Sequence, residues 1–349
     1  MHFRSRSHAA FALALSFSLL GAVPAHAAKT KTVKPRVCKD VANTQSQACR
    51  ADIKDNLYEA RALCINGPDS ASRDCLKQAQ QDFQDAAGEC SDQLDAREEL
   101  CDALGGDHYA PDFSPASFTS NFNSPNSYFP LSVGDHWKFV LTNGDGATND
   151  IDVLDATKGI EGVTCIVVHD VVKDDAGRPT EDTQDWIAQR NDGGLEYCGE
   201  MTETLGYFPG DDPVAPERLD IEGSWKTGVE GALPGTLFPG TPAVGAVYRQ
   251  EWLPGTAEDA AEVVSTTYTF GNDATLDDKV PAALAQFLCT QAHPCVVTKE
   301  FSPLEPDTFE RKYYAQGIGQ FLGVTPDTGE VDRLVECNVS PSCASLPQP

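Results

Sequence analysis

Six cysteines in the first third of the chain constrain its fold more than any other feature. They lie at positions 38, 49, 64, 75, 90 and 101, so that successive gaps alternate between 11 and 15 residues. Position 38 mirrors 101, 49 mirrors 90 and 64 mirrors 75 about a centre beside Gly67 and Pro68, a strong turn signal. The spacing predicts an antiparallel hairpin with the disulfides Cys38–Cys101, Cys49–Cys90 and Cys64–Cys75.

Each arm of this hairpin is predicted to be a helix. Apolar residues recur at steps of three and four, as in Cys49, Ile53 and Leu57. The region 36–104 would bury little apolar surface, so the three bridges would take the place of a core. Two alternatives remain open: a 26-residue tandem repeat with local bridges, and a copper store of reduced thiols.

The first residues have the pattern of an export signal. Arg4 and Arg6 precede an apolar run at 9–20, and Ala25-His26-Ala27 ends the segment 1–27. We expect removal of 1–27, a periplasmic or secreted location, and no membrane insertion afterwards, because the apolar run is short for a bilayer. Twelve cysteines, an even number, then favour disulfides over zinc, since no C-x-x-C pair is present.

The chain is strongly acidic. It has 53 acidic and 26 basic residues and a net charge of −27, which becomes −29 when Arg4 and Arg6 leave with the signal. Such a surface repels phosphate groups, so we expect no nucleic-acid partner. Cationic partners, divalent metal ions and simple solubility all remain compatible with this charge.

After a Gly- and Pro-rich linker at 105–127, the pattern changes to short alternating runs separated by turn residues. We predict a mainly antiparallel β domain at 128–335 and a tail at 336–349, giving an α+β protein. Weak similarity between 128–205 and 238–335 indicates a duplicated meander, forming either a sandwich or one curved sheet such as a half-barrel. The aromatic residues of the linker are expected to dock onto this domain.

Three motifs of the β domain resemble those of a family of exported bacterial hypothetical proteins. They are YFPL-x-x-G-x-x-W at 128–137, GSW-x-x-GV-x-GA-x-PG at 223–235 and YRQE at 248–251. The resemblance covers about 120–335 and implies an envelope or secreted β protein, often preceded by a cysteine-bearing helical region. It implies no established activity. The chain departs from the family pattern at EYCGE and around AALAQFLCTQAHPC, and both departures add a cysteine.

The six remaining cysteines allow 15 pairings. Cys165 and Cys295 occupy equivalent positions of the two halves, and Cys198 and Cys289 are the two added cysteines, so Cys165–Cys295, Cys198–Cys289 and Cys337–Cys343 are the preferred pairs. The main alternative closes the local loops 289–295 and 337–343 and joins 165 to 198.

No familiar catalytic or metal motif occurs in the sequence. G-x-S-x-G, H-E-x-x-H and the Gly-rich phosphate loops are all missing. The carboxylates Asp185, Glu196, Glu200, Glu251 and Asp259 are possible acid and base partners, but a chain with 53 acids supplies such sets by chance. NGDGATNDID at 143–152 resembles a calcium loop, yet it lacks the final glutamate, and a hairpin turn is favoured.

A mixture of aromatic and charged residues supplies the candidate ligand site. Its members are Trp225, Tyr248, Arg249, Glu251, Trp252 and Tyr313, which could line a cleft between the halves or simply form core aromatics with ion pairs at the rim. We therefore expect an exported, non-enzymatic protein that binds an unknown ligand or envelope partner without a cofactor. The alternatives are a hydrolase with paired carboxylates and a binder of Ca²⁺ or another cation.

Overall fold

The structure is a computed structural model that describes residues 36–122, 126–141 and 146–349. The predicted signal at 1–27 lies outside the described residues, as do positions 143–145 of the calcium-like segment. Residues 148–152 of that segment belong to a β-strand.

The chain begins with the predicted helical hairpin. Helix α1 spans Val37–Asn66 and helix α2 spans Asp69–Leu104, with Gly67 and Pro68 between them. Gly67 closes α1 because its N–H donates to the carbonyls of Leu63 and Cys64. The bridges Cys38–Cys101, Cys49–Cys90 and Cys64–Cys75 are all present, with Cα separations of 5.7, 5.8 and 5.5 Å. The three disulfides predicted from the symmetric cysteine spacing are therefore confirmed.

A single antiparallel sheet follows the hairpin. Its strands are β1 (Phe118–Thr119), β2 (His136–Leu141), β3 (Thr148–Ile160), β4 (Val163–Lys173), β5 (Pro179–Arg190), β6 (Leu195–Gly206), β7 (Glu217–Asp220), β8 (Trp225–Lys226), β9 (Gly235–Phe238), β10 (Val247–Arg249), β11 (Ala260–Tyr268), β12 (Cys295–Phe301), β13 (Glu310–Ala315), β14 (Gly319–Thr325) and β15 (Glu330–Cys337). A short helix α3 (Ala282–Leu288) lies between β11 and β12. The α+β class is confirmed.

The sheet consists of two meanders joined side by side. Strands β2 to β7 and β10 to β15 each pair in sequence order, and β15 pairs with β2. Strand β9 pairs with β6, and Leu233, just before β9, bridges Trp252, just after β10. The backbones meet so closely there that a Cβ at Gly235 would collide with the carbonyl of Gln250. The sheet thus curves until its two ends approach each other. Whether the meanders are duplicates stays a prediction.

Two apolar cores hold the β domain together. The larger core includes Phe139, Ile166, Phe238 and Phe321 and extends under α3. A smaller core on the other side of β4 to β6 contains Val167 and Trp186, and Phe113 and Phe118 of the linker pack against it. Phe122 packs on the larger core and Tyr109 lies against Trp252, with ring centroids 6.0 Å apart. The linker aromatics dock as expected.

The three disulfides of the β domain follow local geometry. Two preferred pairs, Cys165–Cys295 and Cys198–Cys289, are wrong: Cys165 bonds Cys198, and Cys289 bonds Cys295. Cys165 and Cys198 belong to the smaller core, whereas Cys289 and Cys295 belong to the larger one. The strands of Cys165 and Cys295 are also separated by five others in the sheet. The third pair, Cys337–Cys343, is present.

Candidate functional site

A large cleft lies between the helical hairpin and the sheet. It has a volume of about 1470 Å³. Helix α1 supplies one wall, and strands β4 to β6 with residues 251–259 and 302–305 supply the others. Ten carboxylates line it: Asp52, Asp55, Asp170, Glu181, Asp185, Glu200, Glu222, Glu251, Asp259 and Glu305. Among the described lining residues only Arg97 is basic, and it is held by Glu258.

A smaller inner cavity of about 270 Å³ adjoins the cleft. The two cavities share Asp170, Asp185, Glu251 and Asp259. Apolar side chains form most of the inner wall, namely Phe129, Leu131, Trp137, Phe139, Ile151, Val168, Ile187 and Leu237. The site is therefore apolar at its inner end and strongly acidic where the two cavities meet.

A β-bulge brings two of these carboxylates together. Asp185 lies opposite Glu200 and Trp186 opposite Gly199, but Ile187 lies opposite Tyr197, so Cys198 is the extra residue of β6. The bulge places Tyr197 and Glu200 on the same face, although strict alternation would separate them. Gly199 sits at the bulge with φ 131° and packs directly against the backbone of Trp225. A glycine within a predicted strand was the available sequence signal for this feature.

The hydroxyl of Tyr197 contacts both carboxyl groups of the bulge. It lies at hydrogen-bonding distance from Asp185, and its oxygen is 2.7 Å from Oε2 of Glu200. A phenol has one proton to donate, so the second contact needs a carboxyl group that donates in return. Burial raises the pKa of Asp185 to about 6 and that of Glu200 to about 8. At neutral pH, Tyr197 therefore donates to Asp185, and protonated Glu200 donates to Tyr197.

The neighbouring carboxylates are also difficult to ionise. Burial raises the pKa of Glu251 well above its ordinary value, and the charges of Glu200 and Asp259 raise it further. Burial likewise raises the pKa of Asp170 well above normal, with Asp185 adding to the effect. A cation entering the cleft would lower the pKa of both Glu251 and Asp170, because its positive charge stabilises the ionised carboxylate.

One basic side chain reaches the inner cavity, but it is already paired. Nζ of Lys312 lies 2.9 Å from Oε2 of Glu300 and 3.6 Å from Oε2 of Glu310. Burial alone would lower the pKa of Lys312, but these two carboxylates raise it well above its usual value. Tyr314 donates to Oε1 of Glu300 at 3.0 Å. Lys312 is thus paired within its own network, and its charge offsets only part of the burial that raises the pKa of Asp170 and Asp185.

The structure separates the carboxylates that the sequence singled out. Asp185, Glu200, Glu251 and Asp259 line the cleft together. Glu196 is elsewhere: it accepts a hydrogen bond from Arg190 at 3.4 Å, and burial raises its pKa to about 7. The bulge in β6 accounts for the difference, since Glu196 precedes it and Glu200 follows it.

The six predicted ligand residues do not share one site. Glu251 lines the cleft, while Arg249 and Trp252 line a different cavity under the hairpin. Trp225 is buried with its ring edge against Tyr197, at a centroid distance of 5.5 Å. The hydroxyl of Tyr248 is buried without a hydrogen-bond partner among the described residues.

Tyr313 belongs to the core and not to the cleft. Alternation along β13 turns Lys312 towards the inner cavity, while the hydroxyl of Tyr313 donates to the carbonyl of Leu276 at 2.6 Å. Three residues of the site are absent from the sequence-based set, namely Asp170, Lys312 and Tyr197. Alternation along β13 was the signal for Lys312, whereas Tyr197 shares a face with Glu200 only because of the bulge in β6.

Comparison with known proteins provides no family for this chain. No protein-family model matches the sequence, and no curated protein matches it significantly. Among solved structures, a "putative lipoprotein from Parabacteroides distasonis ATCC 8503" is similar over 61% of this chain and 99% of that one, with 10% sequence identity and a TM-score of 0.30. At that score the similarity supports no conclusion about fold or function. Within the described residues, no helix combines the length and apolarity needed to cross a bilayer.

Proposed function

We propose that this chain is an exported, non-enzymatic binding protein that holds an organic cation with an apolar body in the cleft. The observation that carries the proposal is the set of four carboxylates shared by the cleft and its apolar inner cavity. An ammonium group would lie among these carboxylates, and its apolar body would occupy the inner cavity. The ammonium group would favour ionisation of carboxyl groups that burial keeps protonated, and the apolar body would cover apolar surface of the inner cavity.

Export is supported by the predicted signal at 1–27, by the family resemblance and by the bonding of all twelve cysteines. Free cysteines are absent from the described chain, which contains every cysteine of the sequence. Six disulfides are typical of proteins that fold in an oxidising compartment. A periplasmic or secreted location follows from the proposal, with the helical hairpin covering one side of the ligand site.

Calorimetry with matched ligands tests the binding proposal. We expect phenethylamine to bind the wild-type protein and to raise its melting temperature, whereas 2-phenylethanol, which lacks the charge, should do neither. Glu251→Gln should weaken amine binding by about tenfold, the order expected for loss of one charge-assisted contact. Glu99→Gln, at an exposed position of α2, is the matched control. Equal binding of amine and alcohol would contradict the proposal.

Calcium chloride should be tested as a further ligand in the same melting experiment, to examine the calcium alternative. The described residues contain no group of three His, Cys, Asp or Glu side chains placed to hold a metal ion. A rise in melting temperature with calcium that is reversed by a chelator, without a response to amines, would favour the calcium alternative.

One observation favours hydrolysis as a second candidate function. Asp185 and Glu200 meet at one hydroxyl, which keeps their nearest oxygens within about 5 Å of each other. At that spacing, protonated Glu200 would give its proton to the leaving-group oxygen while Asp185 attacks the reacting carbon, and Glu200 would then take a proton from the water that releases the product from Asp185. Asp185→Asn and Glu200→Gln should each lower hydrolysis of chromogenic glycosides or esters by about 10²-fold or more. No activity of the wild-type protein on either class would leave binding as the function.

A further inference from the structure

A second cavity lies where the helical hairpin meets the sheet, apart from the acidic cleft. Its volume is about 180 Å³. The first turn of α1 and the last turn of α2, joined by Cys38–Cys101, form one side, and Tyr109 and Trp252 form the other. Aliphatic side chains, including Val37, Val41 and Leu104, complete its lining.

Arg249 brings into this cavity a positive charge that has no ion-pair partner among the described residues. Only 8% of the residue is exposed, and no described carboxylate lies at ion-pair distance from it. Its contacts are the sulfur of Cys38 at 3.9 Å and the ring of Tyr109 at 5.8 Å. Neither contact supplies a negative charge. Buried arginines are usually paired with an anion, since leaving such a charge unpaired is costly.

The negative charge of Glu258 acts on Arg249 from a distance, but Glu258 is hydrogen-bonded to other donors. Glu258 accepts two hydrogen bonds from the guanidinium of Arg97, at 2.7 and 2.9 Å, and a third from the N–H of Gly255 at 2.6 Å. Asp107 lies at the rim, exposed to solvent. Two arginines and one buried glutamate therefore leave a local excess of one positive charge, although the protein as a whole is strongly acidic.

We propose that this cavity binds a small monocarboxylate with an apolar body. The guanidinium of Arg249 presents a planar pair of donors that matches a carboxylate. The rings of Tyr109 and Trp252 and the aliphatic lining would contact the rest of the ligand. A monoanion fits better than phosphate, because one arginine neutralises one charge and a second negative charge would face the buried Glu258. The volume of about 180 Å³ limits the ligand to a small molecule such as benzoate.

Calorimetry at constant ionic strength tests this site, with benzoate as the probe. We expect saturable binding of benzoate to the wild-type protein, no binding of benzamide, which has the same shape without the charge, and weaker binding of phosphate. Arg249→Gln should weaken benzoate binding by at least about tenfold, and Arg249→Lys should restore part of it, because lysine keeps the charge but not the paired donors.

Two control variants show whether benzoate binds at Arg249 or elsewhere on the protein. Arg218→Gln, at an exposed arginine of β7, should bind benzoate as the wild type does. Glu99→Gln, at an exposed position of α2 that lines neither cavity, should also leave benzoate binding unchanged. Because the amine and benzoate are separate probes, failure of the cation proposal and failure of this one are distinguishable. If Arg249→Gln does not fold, the comparison of benzoate with benzamide on the wild-type protein still shows whether binding requires the carboxylate charge. Equal binding of those two compounds, tighter binding of phosphate, or no saturable binding of benzoate would overturn the proposal.

Discussion

The helical hairpin and the β domain are stabilised in different ways. Few side chains are buried in the hairpin: α1 buries only Ala42, Ser46 and Cys64, and near the turn Leu63 and Ile65 are 75% and 72% exposed. In the β domain, Phe238, Phe321 and Tyr313 are fully buried in one large cluster. The three disulfides of the hairpin form a ladder, and they join residues that are 63, 41 and 11 positions apart. Two of the three disulfides in the β domain join residues only 6 positions apart.

This difference shows two ways of offsetting the conformational entropy that is lost on folding. Disulfides lower the entropy of the unfolded chain, whereas apolar burial stabilises the folded one. A link between distant residues restricts the unfolded state more than a local one does. The hairpin can therefore extend beyond the core of the β domain and still form a wall of the ligand cleft. The β domain, by contrast, should depend little on its local bridges.

The largest effect is expected when the ladder is removed. Replacing all six ladder cysteines by serine should unfold the outer part of the hairpin, because each bridge contributes about 2–4 kcal/mol in a region with little core. Far-ultraviolet circular dichroism should show loss of helix, and limited proteolysis should cut near Gly67 while the β domain survives. Cys337→Ser combined with Cys343→Ser is the control and should leave both signals almost unchanged. If the hairpin resists protease without its disulfides, the conclusion that disulfides rather than burial stabilise it would be contradicted.

The next largest effect concerns the contact that joins the regions. Arg97 of α2 and Glu258 form a bidentate ion pair in which both side chains are buried. Arg97→Met should lower the free energy of unfolding by about 3–5 kcal/mol, because it leaves the buried charge of Glu258 without its partner. Urea titration measures the change. Adding Glu258→Met should recover much of the loss, whereas a double variant as unstable as the single one would show that packing, not charge, dominates this contact.

A matched pair of leucines compares the regions directly. Leu322 in β14 is fully buried, and Leu63 in α1 is 75% exposed. Leu322→Ala should cost about 2–5 kcal/mol because it opens a cavity in the larger core. Leu63→Ala should change stability by less than about 0.5 kcal/mol. A large loss at Leu63 in urea titration would indicate that the hairpin has a covered apolar face after all.

The two regions also differ in how far their sequences predict them. Cysteine positions such as 38 and 101 fix the hairpin, because symmetry of spacing is visible along the chain. The strands follow from local alternation, and so does the overall class. The pairing of Cys165 with Cys198 does not, because it depends on which face of the sheet each cysteine occupies. Equivalence between repeats is a weaker constraint on a disulfide than sharing a face.

The cleft could be predicted only in part for the same reason. The sequence identifies Asp185, Glu200, Glu251 and Asp259 as possible partners but cannot bring them together, because they meet only when the sheet curves and when the bulge at Gly199 changes the alternation of β6. Glu196 has the same spacing to Glu200 as many residues that do share a face. Its separation from the cleft comes from one extra residue in a strand, which no pattern of polarity records.

The smallest effect we predict is the part of the pH dependence of stability that Glu200 contributes; Glu196, outside the cleft, contributes another part. Burial raises the pKa of Glu200 to about 8 and that of Asp185 to about 6, so the folded protein keeps protons that the unfolded chain has released near pH 4. The unfolded state then binds fewer protons, and the free energy of unfolding should fall as the pH rises from about 5 to 8. Glu200→Gln should reduce that fall by on the order of 2 kcal/mol, because glutamine cannot ionise.

Urea titrations at several pH values measure this slope, and Glu99→Gln on the hairpin should keep the wild-type slope. An unchanged slope in Glu200→Gln would mean that Glu200 does not hold the proton shared through Tyr197, and that other buried carboxyl groups such as Glu196 cause the pH dependence.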